Sequence, residues 1–152
     1  TIIAIEMDEQ RRKKALEIGA DFAIDPRDSA LLEQVRSITN GEMLNLVYEA
    51  VGASSPINTA ISLVRKGGTV VLVGNVTPTI DLPLQSVVTR QIRLQGSCAI
   101  NGEYPTVLKM MADKKLDVTD LISKVAPLKE GKIWFDKLYN REDNLLKVVL
   151  VP

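Results

Sequence analysis

The 152 residues carry 19 Lys and Arg against 19 Asp and Glu, with aromatic residues at 4% and no histidine. A formal net charge of +0 supplies no field to draw nucleic acid or an anionic membrane, and so few rings make no platform for stacked bases. Without histidine, and with Cys98 as its one cysteine, the chain has no imidazole base, no four-thiolate zinc site and no internal disulfide, and a cytoplasmic protein is expected.

The β-branched run Ile2–Ile5 predicts a buried strand that ends at an acid, Glu6. Asp8 is the expected N-cap of a helix whose apolar stripe is Ala15, Leu16 and Ile18, with Gly19 as its stop. Phe22–Ile24 reads as a second strand, closed by Asp25-Pro26. Leu31, Leu32, Val35 and Ile38 recur at helical spacing, and Asn40-Gly41 ends that helix. "LNLVYEAVG" is a third strand closing on Gly52. Pro56 falls in the first turn of the next helix, which is expected to run to about Arg65 before a turn at Gly67-Gly68. "TVVLVG" is a fourth strand, "PLQSVVTRQ" a short helix and "IRLQGSC" a fifth strand.

From about Gly102 the pattern becomes helix, strand, helix, strand. Val107, Leu108, Met111 and Leu116 are the expected inner side of the first of these helices, and Ile133, Trp134 and Leu138 of the second. Strands alternating with helices imply a parallel, doubly wound α/β sheet. The expected division is a partial dinucleotide-binding domain over 1–101 and a C-terminal segment over 102–152.

Four strand tips carry the candidate chemistry. An acid at the end of a dinucleotide fold's second strand accepts hydrogen bonds from the adenosine ribose and repels a 2′-phosphate. Glu6 has that place, although a carboxylate beside a helix N-terminus is also favoured by the helix dipole alone. "YEAVG" and "VLVGNV" each put a glycine at a strand's carboxyl end, where ligands bind in open parallel sheets. "GSCA" at Gly96–Ala99 repeats the arrangement. A glycine there either lets a ligand approach the backbone or only makes a turn. Cys98 has no base beside it and reads as a buried or pocket-wall thiol, and Tyr48, Tyr104 and Trp134 read as packing residues.

Together "IIAIEMDEQRRKKALEIGAD", "VYEAVGASSPINTAISLVRKGGTVVLVG", "IRLQGSCAING" and "WFDKLYNREDNLLKVVLVP" resemble the coenzyme-binding half of the medium-chain dehydrogenase/reductase family, in particular its zinc-containing alcohol and polyol dehydrogenases. The resemblance is collinear and covers essentially the whole chain. It implies an incomplete Rossmann-like sheet, because in the family a strand, a glycine-rich turn and a helix come immediately before the position of Thr1, after a zinc-bearing catalytic domain. No G-x-G-x-x-G occurs in this sequence, so a fragment without catalytic or metal-binding residues is expected.

By the same resemblance, Glu6 holds the adenosine ribose and favours NAD, although the family more often has Asp there. Arg11 lies beside that ribose. Val51 and Gly52 line the adenosine side, while Val73, Gly74 and Asn75 meet the nicotinamide carboxamide and its ribose. Ser97 and Ala99 bind the carboxamide through the backbone, and Lys147 reaches the pyrophosphate. The intact parent would oxidise a small alcohol or polyol, with zinc in the missing catalytic domain lowering the alcohol pKa and NAD taking the hydride. The C-terminal segment would pack back toward that domain.

The resemblance also implies that a strand is missing between the first and third strands present here, which would leave two inner edges. They pair directly, or a second chain donates a strand, or a preceding segment fills the gap. Homo-oligomerisation or domain swapping is the first expectation, with "PTIDLPL" and "IRLQG" as contact strands. Two other readings of the same sheet are a non-catalytic nucleotide-binding or interaction module and a flavodoxin-like signalling domain.

Overall fold

Residues 1–152 are described by a computed structural model, in which the chain forms two units, Thr1–Ala99 and Ile100–Pro152. In the first unit β1 (Ile3–Ile5) pairs in parallel with β2 (Phe22–Ile24), Ile3 opposite Phe22 and Ile5 opposite Ile24. The helix between them, α1 (Glu9–Glu17), starts where expected, because the Asp8 carboxylate accepts the Arg11 N–H at 2.9 Å. Its stripe does not become core: Leu16 and Ile18 are exposed and α1 buries no residue. Two strands of three residues are too small a surface to cover it.

The other three strands form a parallel sheet in the order β3 (Leu44–Glu49), β4 (Val64–Leu72), β5 (Arg93–Gly96). Between β2 and β3 runs α2 (Leu31–Ile38); α3 (Ser54–Leu63) and α4 (Leu84–Thr89) make the later crossovers. The expected end of α3 at about Arg65 is corrected. The helix stops at Leu63, and Val64 is already extended, with φ −72° and ψ 143°. Arg90 explains the early stop. Its guanidinium donates to the Ile61 carbonyl at 2.9 Å and also to the Val64 carbonyl, so the helix end needs no further turn to satisfy them. The Gly67-Gly68 turn becomes a register shift inside β4: Val64 faces Leu44, yet Thr69 already faces Leu46.

Two apolar clusters hold this unit together. Ile57, Ala60, Ile61, Val64, Val70 and Ile92 pack α3 onto the three-stranded sheet. Ile24, Leu31, Val35 and Leu63 form the second, with Ile3, Ile5 and Leu44 packed against it. The second cluster therefore joins β1–β2 to β3 through side chains. No backbone ladder does so, since β1 and β3 belong to different sheets. Direct pairing of the two inner edges does not occur.

The second unit contains α5 (Tyr104–Ala112), β6 (Lys124–Pro127), α6 (Gly131–Tyr139) and β7 (Val148–Val151), with β6 and β7 parallel. Ala126 is its one buried apolar residue. Trp134 is half-buried, donates to Glu130 Oε2 at 3.1 Å, and lies under the ammonium groups of Lys124 and Lys137, 5.7 and 5.3 Å from its ring centre. The expected inner faces of α5 and α6 are only partly realised: Val107, Leu108, Met111 and Ile133 are exposed. A segment this short has too little surface of its own to bury both stripes. No helix of the chain is long and apolar enough to cross a membrane.

Candidate coenzyme rim

Each parallel strand of the first unit ends in residues singled out by the sequence. Glu6 directly follows β1. It is half-buried, and its N–H donates to the Ile24 carbonyl at 3.1 Å, extending the β1–β2 ladder by one bond. Its Oε1 accepts the Asp8 N–H at 2.9 Å, and Oε2 accepts no hydrogen bond. Arg11 is exposed and its guanidinium makes no ion pair or hydrogen bond. The arginine that shapes this tip is its neighbour Arg12, which donates to the carbonyls of Glu6 and Met7, both at 2.7 Å, and to Asp25 at 3.2 Å.

Arg27 completes that knot. It donates through Nε to Asp25 Oδ1 at 2.9 Å and through Nη2 to the Met7 carbonyl at 3.0 Å. The hydrogen bonds from Arg27, with the Arg12 charge added, hold the Asp25 carboxyl far below the usual carboxylate range. Its folded pKa is depressed, so its stabilisation is complete above an unfolded value of about 3.9 and is lost as pH falls through the folded value. A carbon-detected pH titration should find Asp25 still ionised after ordinary carboxylates have protonated. Arg27→Ala should move its midpoint upward. A wild-type midpoint near 3.9 would refute the knot.

The tips of β3 and β4 touch. A Cβ built on Gly52 would lie 2.3 Å from both the Gly74 carbonyl carbon and the Asn75 nitrogen; one built on Gly74 would lie 2.1 Å from the Gly52 nitrogen. Gly52 also has φ +81°. The room that glycine creates is thus filled by the neighbouring tip's backbone. Gly96 differs: a Cβ there would meet nothing within 4 Å. Val51, Val73 and Asn75 are exposed around the contact. Ser97 extends the β4–β5 ladder by donating its N–H to the Leu72 carbonyl at 3.0 Å, and Ala99 is exposed with φ 47°. Lys147 belongs to the second unit, exposed, with its carbonyl accepting the Ser123 N–H at 2.8 Å.

The coenzyme reading of the sequence gave no role to Glu49, a buried acid at the end of β3. Its Oε1 accepts the Val51 N–H at 2.7 Å and the Gly52 N–H at 3.0 Å; Oε2 is also 3.0 Å from the Gly52 nitrogen. Its carbonyl accepts the Val73 and Gly74 N–H groups at 2.8 and 2.9 Å. The available signal was a lone acid closing an apolar strand two residues before Val51. Cys98 is exposed, which removes the buried-thiol alternative of its two readings. Two other expectations are corrected: Tyr48 and Tyr104 are exposed, not packed.

The donor set does not fit zinc. The chain has no histidine, and no group of three or more Cys, Asp or Glu side chains could hold a metal ion. It does fit a nucleotide sugar at one point, the unengaged Glu6 Oε2 beside a strand end.

A family model described as zinc-binding dehydrogenase matches residues 1–113, and the chain belongs to that family. It is 32% identical over 148 residues to D-arabitol-phosphate dehydrogenase of Enterococcus avium, covering 96% of this chain and 42% of that protein. Alcohol dehydrogenase from Thermus sp. ATN1 superposes with TM-score 0.87 at 30% identity, covering 99% of this chain and 43% of that one. A putative zinc-binding dehydrogenase of Sinorhizobium meliloti 1021, solved bound to NADP, shares the fold with TM-score 0.86 at 22% identity, over 100% of this chain and 45% of its own. The chain thus spans under half the length of these relatives, and its parallel α/β fold is that of their C-terminal coenzyme-binding part.

Proposed function

We propose that the chain is the coenzyme-binding portion of an NAD-dependent dehydrogenase that oxidises a secondary hydroxyl of a small alcohol or polyol, and that these residues alone turn over no substrate. The observation that carries this reading is the Glu6 carboxylate, held at the end of β1 with one oxygen on the Asp8 N–H and the other unengaged. That oxygen can accept from the adenosine ribose hydroxyls, and its charge opposes a 2′-phosphate. The fold alone does not set this preference, since the Sinorhizobium protein holds NADP.

When bound, the nicotinamide supplies the hydride acceptor. Glu6, with Arg11 nearby in sequence, would bind the adenosine ribose. Val51 and Gly52 would lie along the adenosine side. Val73, Gly74 and Asn75 would orient the nicotinamide end, with Ser97 and Ala99 at its carboxamide. None of these residues moves a proton, which accords with a portion that positions coenzyme while another part of the protein handles the alcohol.

The test is a titration of the chain with NADH and NADPH, followed by ligand-observed NMR. NADH should bind about tenfold tighter than NADPH, and Glu6→Ala should erase the difference. Equal affinities for the two in the wild-type chain would refute the role of Glu6.

A further inference from the structure

The buried acid at the end of β3 has no cation partner. All its hydrogen bonds go to the main chain of two strand tips. We propose that Glu49, with Thr77, is the positioning device of the rim: it sets where the coenzyme-facing tips at Val51–Gly52 and Val73–Asn75 stand. The inference rests on the coenzyme reading above for what the rim binds, but not for what holds it.

Gly52 is gripped from both sides. Its N–H lies 3.0 Å from each Glu49 oxygen, and its carbonyl accepts the Thr77 N–H at 3.0 Å and the Thr77 hydroxyl at 2.9 Å. The Glu49 carbonyl holds Val73 and Gly74 on the next strand. One residue therefore ties the β3 tip with its side chain and the β4 tip with its main chain. The contact this secures is backbone on backbone, with no side chain between to tolerate slack. A carboxylate suits the task because it only accepts, and both facing groups are N–H donors. Charge on the acceptor also strengthens such bonds. Neither Glu49 nor Thr77 needs to touch the coenzyme. Their effect passes through the backbone of Val51, Gly52, Val73 and Gly74.

The experiment uses isotope-labelled chain, wild type, Glu49→Gln and Thr77→Val, with amide hydrogen exchange and NADH titration read residue by residue. Glu49→Gln puts an NH₂ donor against the Gly52 N–H. Thr77→Val removes one bond to the Gly52 carbonyl and guards against a Glu49 variant that fails to fold. In both variants the Val51 and Gly52 amides should exchange about tenfold faster while Val35 and Val70 keep their protection, and the NADH dissociation constant should rise about tenfold for Glu49→Gln and less for Thr77→Val. Wild-type exchange at Gly52 in a folded variant overturns the grip. Faster exchange with unchanged NADH affinity overturns positioning and leaves Glu49 a structural residue. If NADH shifts no rim amide of the wild-type chain, the coenzyme reading fails and this proposal with it, while the exchange data still report whether Glu49 holds the tips.

Discussion

Gly74→Ala is expected to cost at least about 3 kcal/mol of stability, the upper end of ordinary overpacking, or to prevent folding altogether. The added methyl would sit 2.1 Å from the Gly52 nitrogen, 2.2 Å from the Val51 carbonyl carbon and 2.4 Å from the Val51 nitrogen. All three are main-chain atoms of a strand tip already fixed by Glu49 and Thr77, so no flexible side chain can swing aside. Gly52→Ala meets the same obstacle from the other strand at 2.3 Å. It adds a left-handed backbone that costs a residue with Cβ roughly 1–2 kcal/mol. Gly96→Ala is the control, with open space at its Cβ. Thermal unfolding decides the matter: Gly74→Ala melting within about 2 °C of wild type would show that the two tips do not touch as described.

The isolated chain is expected to bind NADH at least about a thousandfold more weakly than a complete dehydrogenase of the family, roughly 4 kcal/mol. Pyrophosphate is normally held by main-chain N–H groups of a glycine-rich turn at a helix N-terminus. These 152 residues contain no G-x-G-x-x-G. Glu6, Gly52 and Gly74 can contact only the two sugars and the nicotinamide end in the proposed arrangement. Calorimetry or NMR titration of the chain alone checks this, and micromolar affinity would contradict it. Such a result would mean that the phosphates are held by groups other than a glycine turn.

Much of the architecture was legible because its causes are local. Asp8 can reach the first-turn N–H from its own side chain, so the start of α1 was readable. The β-branched run at β1 and the glycine-ended runs at β3 and β4 have strand length and strand composition. The faces of α1, α5 and α6 were less legible. Apolar spacing says which side of a helix can be buried, but not whether anything covers it, and Leu16, Leu108 and Ile133 remain exposed. The end of α3 was misplaced because its cause, the Arg90 guanidinium on the carbonyls of Ile61 and Val64, is distant in sequence.

The candidate site divides in the same way. An acid closing the first strand and glycines closing two others are sequence facts, and with the collinear family resemblance they determine the kind of protein this is. Periodicity, capping and turn chemistry act over a few residues, so the order of elements follows from the chain itself. Which arginine shapes the Glu6 tip, what fills the space beside Gly52 and Gly74, and why Glu49 is buried were decided only by tertiary structure. Those outcomes depend on hydrogen-bond geometry between segments that the sequence holds apart and folding brings within 3 Å.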